Sequence, residues 1–191
     1  MARFITSVAD ISKLPEKAGF EIAVAGKSNV GKSSFINLLA NHRGLAKTSS
    51  TPGKTRLLNF FEIAGFTFVD LPGYGFARVP DAEKAKWGSL IEAYFASPHK
   101  PDHILLLVDI RHLPTPLDLQ MLAFMYRFNI GFTVIATKAD KLTKTQTPRA
   151  IKAIADALSL TPANILTVSA LKKQGHDAVL ARLRQLTTTT N

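Results

Sequence analysis

The chain has 191 residues, 46% of them apolar and 20% charged, and it contains no cysteine. That is enough chain for one full core and too little for two large domains, and the composition excludes a disordered polymer. The missing thiols exclude a disulfide scaffold, thiolate zinc or iron–sulfur sites and a cysteine nucleophile. Lysine and arginine number 24 against 14 acidic residues, a net charge of +10 that points to an anionic partner such as nucleic acid or ribonucleoprotein. The longest apolar run, Ile104 to Val108, has the length of a buried strand and not of a membrane span. The N-terminus, Met1-Ala2-Arg3-Phe4-Ile5-Thr6, has no long apolar stretch with a small-residue cleavage site after it. A soluble, cytoplasmic protein is the expectation.

Short apolar runs alternate with helical patterns, which predicts an α/β domain built on a mostly parallel sheet. Phe20 to Ala25 reads as a strand that enters a glycine-bearing loop, and Ser34 to Leu39 then opens a helix. Asn41 to Arg56 is polar, basic and aperiodic, and reads as a loop. Leu57 to Ile63 and Phe66 to Asp70 read as strands; the Ala64-Gly65 link between them implies a hairpin and so at least one antiparallel strand. Leu71 to Pro80 is a second loop, followed by a helix over Asp81 to Phe95 with Asp81 at its cap. A strand at His103 to Asp109, a helix at Leu117 to Phe128 and a strand at Phe132 to Thr137 come next. A helix over Pro148 to Leu158, a strand over Ile165 to Ser169 and a closing helix over Asp177 to Leu186 complete the pattern. Thr187 to Asn191 has nothing to bury and is expected to fray. One domain over residues 1–191 accounts for the chain.

Gly26-Lys27-Ser28-Asn29-Val30-Gly31-Lys32-Ser33 fits the phosphate-loop pattern in full. Glycines let the backbone curl so that its N–H groups face an anion, and the helix that follows presents its N-terminus to the same anion. Lys32 can reach the β- and γ-phosphates, and the Ser33 hydroxyl can ligate Mg²⁺. Ser34 lies one residue further into the helix. A glycine-rich turn with an exposed lysine is the plain alternative, but a strand before and a helix after are what phosphate binding requires.

Asp70-Leu71-Pro72-Gly73 ends the second hairpin strand. Asp70 can hold Mg²⁺ through water, and Gly73 can offer its N–H to a γ-phosphate that a side chain would crowd. The loop before the hairpin ends in Thr51-Pro52-Gly53-Lys54-Thr55-Arg56. A threonine there can complete the Mg²⁺ shell when a γ-phosphate is present, and the string alone admits Thr51 or Thr55.

Thr137-Lys138-Ala139-Asp140 and Val168-Ser169-Ala170-Leu171 end two further strands, where an open α/β sheet binds its ligand. The Asp140 carboxylate matches the adjacent N1–H and N2–H₂ donors of guanine, which adenine lacks. Lys138 can pack its stem along the base, and the Ala170 N–H can donate to O6. A carboxylate at a helix cap is the alternative for Asp140 taken alone.

These elements stand in the order of a translation-factor-type GTPase. Gly-Lys-Ser-Asn-Val-Gly-Lys-Ser-Ser, Thr-Pro-Gly-Lys-Thr, Asp-Leu-Pro-Gly-Tyr-Gly-Phe-Ala, Val-Asp-Ile-Arg-His and Thr-Lys-Ala-Asp-Lys-Leu resemble the EngB family of bacterial GTPases from about Phe4 to Leu186. The resemblance implies a P-loop NTPase fold of three layers, with a six-stranded mixed sheet flanked by helices. It implies a GTPase, binding GTP and GDP, that acts in assembly of the large ribosomal subunit and is needed for cell division and septation. It also selects Thr55 as the Mg²⁺ ligand and places Lys54, Thr55, Arg56 and Leu57 along the nucleotide beside Gly53. Ribosomal RNA suits the basic charge; DNA and membrane partners are not expected, and a monomer is. Leu113 to Pro116 depart from the family pattern, so no role is carried past His112.

Many small GTPases orient the attacking water with a glutamine after the Asp-x-x-Gly glycine, and Tyr74 stands there instead. Catalysis then rests on positioning and charge stabilisation by Lys32, Asp70 and Gly73, at a slow intrinsic rate. Asn29 resembles the residue that binds K⁺ beside the phosphates in related GTPases, or it simply shapes the loop. Three other readings compete: a GTP-gated binding module with negligible hydrolysis, a small-molecule kinase, and a GTPase at an anionic membrane. The kinase has no use for Thr-Lys-Ala-Asp, and no basic amphipathic helix supports the membrane reading. Trp87 and Phe95, at helical spacing, read as core.

Overall fold

The computed structural model describes residues 2–47, 57–75 and 81–189, the side chains of residues 81–87 and 189 excepted. Its strands are β1 (Ala2–Val8), β2 (Glu21–Gly26), β3 (Leu58–Ile63), β4 (Phe66–Asp70), β5 (His103–Asp109), β6 (Gly131–Thr137) and β7 (Ile165–Thr167). Its helices are α1 (Lys32–Leu39), α2 (Asp81–Ala96), α3 (Pro116–Arg127), α4 (Gln146–Ala157) and α5 (His176–Thr189).

All seven strands form one sheet in the order β1-β3-β4-β2-β5-β6-β7. The pairs β1–β3 and β3–β4 are antiparallel, and the other four are parallel. The mixed, mostly parallel sheet expected from the sequence is therefore present, with seven strands in place of six. The extra strand is β1, an edge strand that pairs with β3 and carries a register shift between Phe4 and Thr6. That irregularity interrupts the alternation by which a half-buried strand is read. The closing helix runs through Thr189, three residues beyond the apolar pattern, and the Thr187 and Thr188 hydroxyls donate to the Arg184 carbonyl at 2.8 and 2.9 Å.

Parallel strands buried on both faces read as continuous apolar runs, and β5 shows why. Ile104, Leu106 and Val108 point to one face, with Ile91 and Phe95 of α2, Met121 and Met125 of α3, and Ile154 of α4. Leu105 and Leu107 point to the other, with Phe35 and Ile36 of α1 and Val179 and Leu183 of α5. The result is a sheet between two helical layers. Each fully buried Leu, Ile or Phe in it contributes about 1.5–3 kcal/mol relative to exposure. Phe95 is core, as the pattern predicts; the Trp87 side chain lies outside the described residues.

The chain leaves β2 toward β3 and β4 on one side and later returns to β5 on the other. Such a reversal opens a crevice at the C-terminal ends of the strands, where ligands of open α/β sheets bind. The phosphate loop begins there.

Candidate functional site

The loop from Gly26 to Gly31 joins β2 to α1. Gly26 is required by close approach: a Cβ there would lie 2.9 Å from the Leu107 carbonyl oxygen and 2.9 Å from Val30 Cγ1. Gly31, at the start of α1, has a φ of 109°, in the left-handed region that favours glycine. No side chain caps α1, so its first amides keep their donors for an anion. Asn29 also has positive φ, 64°, which an asparagine tolerates better than most residues.

Three contacts tie this loop to the neighbouring strands. The Thr137 hydroxyl, at the end of β6, donates to the Val30 carbonyl at 2.8 Å. The Lys138 ammonium donates to the Asn29 carbonyl at 2.9 Å and pairs with Asp109 Oδ2 at 3.0 Å. Ser28 donates to the Tyr74 carbonyl from its N–H at 2.8 Å and from its hydroxyl at 3.0 Å. The Asp-x-x-Gly segment thus lies against the phosphate loop. A Cβ on Gly73 would stand 3.0 Å from Lys32 Nζ and 3.1 Å from Ser28 Oγ, so a larger residue would crowd both side chains.

Asp70 ends β4 and is buried. Burial pushes its carboxyl up to about 6, against the opposing pull of the Lys32 ammonium. Its Oδ1 has no hydrogen-bond partner; among the described residues the only other such buried side-chain atom is His99 Nδ1. A buried, unpaired carboxylate oxygen beside a phosphate loop suits a metal-bound water. Among the described residues no three His, Asp or Glu side chains converge as metal ligands.

At the other end of the site, a depression is lined by Gly31, Ser34 and Phe35 on one side and by Lys138, Asp140, Val168, Ala170 and Leu171 on the other. Ser169 Oγ donates to Asp140 Oδ1 at 2.6 Å, and that bond holds the Asp140 carboxyl below the ordinary range. The Ala139 N–H donates to the Val168 carbonyl at 3.0 Å, which fixes the two loops to each other. Lys138 has a φ of 60°, and its ammonium reaches the Asn29 carbonyl in the phosphate loop.

The structure therefore brings together Gly26 to Ser34, Asp70 to Gly73, Thr137 to Asp140 and Val168 to Ala170 along one edge of the sheet. Gly53, Lys54, Thr55 and Arg56, with the competing Thr51, lie outside the described residues; Leu57 is the first residue beyond them.

In the sequence Asp109 stands only as part of the Val-Asp-Ile-Arg-His string. It ends β5 between the other site strands, and its carboxylate accepts Arg111 Nε at 2.9 Å and Arg111 Nη2 at 2.7 Å besides pairing with Lys138. Partial burial raises the Asp109 carboxyl, and these cationic partners outweigh it and hold the group below the usual carboxylate range. Its position at a strand C-terminus is the signal that could have found it. Tyr74 turns its phenol away from the phosphate loop and donates to Asp118 Oδ1 at 2.6 Å.

A phosphate-loop motif, a buried aspartate at the adjacent strand end and a depression lined by Asp140 fit a GTP-binding P-loop domain. A family model described as a 50S ribosome-binding GTPase matches residues 21–138. The "Probable GTP-binding protein EngB" of Geobacter metallireducens is 44% identical over 183 residues, covering 95% of this chain and 90% of that protein. Its counterpart in Desulfitobacterium hafniense is 48% identical over 160 residues, covering 83% and 80%. The chain belongs to the EngB family of GTP-binding proteins, as the resemblance of its motifs implied.

The crystal structure of a probable GTP-binding protein engB matches with a TM-score of 0.71 at 22% identity, over 87% of this chain and 97% of that one. Era, solved in complex with MgGDPNP and nucleotides 1506-1542 of 16S ribosomal RNA, matches with a TM-score of 0.66 at 25% identity, over 87% of this chain and 56% of that one.

Proposed function

We propose that the protein is a slow GTPase switch acting in assembly of the large ribosomal subunit, with GTP hydrolysis controlling its hold on ribosomal RNA. The observation that supports this best is the buried, unpaired Oδ1 of Asp70 beside Lys32 and the phosphate loop. In this reading Lys27 to Ser34 wrap the phosphates, and Lys32 bears on the β- and γ-phosphates. The Gly73 N–H donates to the γ-phosphate, with Leu71 and Pro72 shaping its approach. Ser33, Asp70 through water, and Thr55 in the GTP state hold Mg²⁺. The ion, when bound, neutralises charge on the β- and γ-phosphate oxygens. Asp140 accepts the guanine N1–H and N2–H₂, the Ala170 N–H donates to O6, and the Lys138 stem covers the base. Water attacks the γ-phosphorus and GDP and phosphate are released.

Tyr74, engaged by Asp118, has no amide with which to orient that water, which supports a turnover below about one per second for the free protein. The same feature favours the second reading, a GTP-gated binding module with negligible hydrolysis, and turnover with and without ribosomes separates the two. Asn29 as a K⁺ ligand is the remaining refinement; equal hydrolysis rates in K⁺ and Na⁺ would remove it.

The net charge of +10 and the 50S ribosome-binding description of the matching family support a ribosomal partner. So does Era, whose complex contains ribosomal RNA. No helix among the described residues is long and apolar enough to cross a membrane. A monomer in the cytoplasm, needed for normal cell division and septation, completes the reading. Co-sedimentation with purified ribosomal subunits tests it, in GDP and in a non-hydrolysable GTP analogue across a salt series. Binding to the large subunit that is stronger with the analogue is the expected result. Binding indifferent to nucleotide and lost steeply with salt would reduce the association to charge alone.

A further inference from the structure

Residues 73–75 form a strap clamped from two sides. On one side lies the phosphate loop, through the two Ser28 donations to the Tyr74 carbonyl and a backbone bridge between Lys27 and Tyr74. On the other lies the start of α3: a Cβ on Gly75, which has a φ of 79°, would meet Lys27 Cγ at 3.1 Å and Leu117 Cδ1 at 3.4 Å. Between them the Tyr74 ring is 4% exposed and its phenol donates to Asp118, itself 4% exposed.

We propose that the Tyr74–Asp118 hydrogen bond is a positioning contact that sets how well the phosphate site distinguishes GTP from GDP. Asp118 is anchored independently of Tyr74. Its Oδ2 accepts the Thr115 N–H at 2.7 Å and the Thr115 hydroxyl at 2.7 Å, which locks the carboxylate to the first turn of α3. The phenol therefore ends on a rigid acceptor. Burial first, and the neighbouring carboxylate second, push the phenol well above its ordinary pKa, so it stays a donor at all working pH. A hydrogen bond to a buried charged acceptor is costly to break, because it leaves a carboxylate oxygen without its donor. Fixing the Tyr74 ring fixes the Gly73–Tyr74 peptide, and so restricts the Gly73 backbone, whose N–H lies in the preceding peptide, beside Lys32. GDP has no γ-phosphate and does not need that N–H; GTP does. The contact thus stabilises one bound state more than the other, the requirement for a ligand-dependent bias.

The inference rests on the reading that the Gly73 N–H meets the γ-phosphate. The test measures dissociation constants for GDP and for a non-hydrolysable GTP analogue, with a thermal melt for each variant. Tyr74→Phe keeps the ring and removes the donor; it is expected to weaken analogue binding about fivefold with GDP binding nearly unchanged. Thr115→Ala removes the hydroxyl donor but keeps the Thr115 N–H on the same carboxylate, so the acceptor stays anchored; it is expected to lower the melting midpoint and leave the analogue-to-GDP ratio unchanged. Gly73→Ala reports on the reading beneath, because its Cβ crowds the space beside Lys32 Nζ in which the γ-phosphate would meet Gly73. If Gly73→Ala lowers the ratio and Tyr74→Phe does not, the positioning role is wrong and the γ-phosphate reading stands. If Tyr74→Phe and Thr115→Ala lower the ratio alike, the phenol only supports α3 and the proposal fails. If Gly73→Ala leaves the ratio unchanged, the γ-phosphate reading falls and takes the proposal with it.

Discussion

The two ends of the sheet each bury a carboxylate, and they treat it differently. Glu21 opens β2 and accepts the Tyr94 phenol, while Asp102 nearby accepts the Glu21 N–H at 2.7 Å and pairs with Lys17 at 2.8 Å. Asp70 closes β4 and leaves one oxygen unpaired. Burial raises both carboxyls. A buried acid whose partners come from its own fold holds strands and helices together; one left short of a partner is held ready for something from outside. The helix ends follow the same division. The start of α3 is closed by Thr115 and Asp118, whereas the start of α1 has no side-chain cap.

That contrast can be broken most forcefully at Lys32. Lys32→Ala removes the phosphate-loop cation and is expected to lower single-turnover hydrolysis of bound GTP by about a hundredfold to a thousandfold. The melting midpoint of the free protein should stay nearly unchanged; an equal loss of stability would make the lysine structural. Asp140→Asn exchanges an acceptor for a donor facing the guanine edge. GTP affinity should fall about a hundredfold while xanthosine triphosphate, with a carbonyl at that edge, gains by comparison. Equal losses for both nucleotides would contradict base reading by Asp140.

The opposite end of the sheet should respond in stability alone. His103, at the start of β5, is buried against Thr133 Oγ1 at 2.9 Å. Burial, with a smaller contribution from Arg182, lowers its pKa from 6.5 to about 4. The unfolded chain therefore takes up a proton that the fold refuses. Stability attributable to this group is intact above about pH 6.5 and falls as pH drops toward 4, by up to about 3 kcal/mol. Denaturant titrations across that range should show a flatter pH dependence for His103→Gln, and equal slopes would count against the buried neutral imidazole. Tyr94→Phe strips Glu21 of its donor and should cost about 1–2 kcal/mol of stability with no change in nucleotide affinity.

The strands that build the site were legible because they are short, apolar and bounded by glycine, proline or aspartate; His103 to Asp109 is the example. Phosphate loop and Asp-x-x-Gly were legible because their chemistry demands residue types at fixed spacing. What escaped depends on pairing across long sequence separations. Strand β1 buries only Val8 and pairs with β3 far along the chain, from Val8 with Leu58 to Ala2 with Ile63, across a register shift. The bond from Tyr74 to Asp118 spans 44 residues, and nothing local to either residue announces it. Asp109 stood in a recognised string, but its pairing with Lys138 emerges only once β5 and β6 lie side by side. The threonines that extend α5 lack an apolar period, and Thr187 and Thr188 are held instead by their hydroxyls on the Arg184 carbonyl.

The most direct test of the account is a Mg²⁺ titration of GTP-analogue affinity for the wild-type protein and for Asp70→Asn. If the unpaired Asp70 oxygen awaits a metal-bound water, Mg²⁺ should tighten analogue binding to the wild type about tenfold to a hundredfold and leave the variant nearly unresponsive. An equal Mg²⁺ response in both proteins would show that Asp70 is a buried acid like Glu21, and the distinction between the two ends of the sheet would be lost.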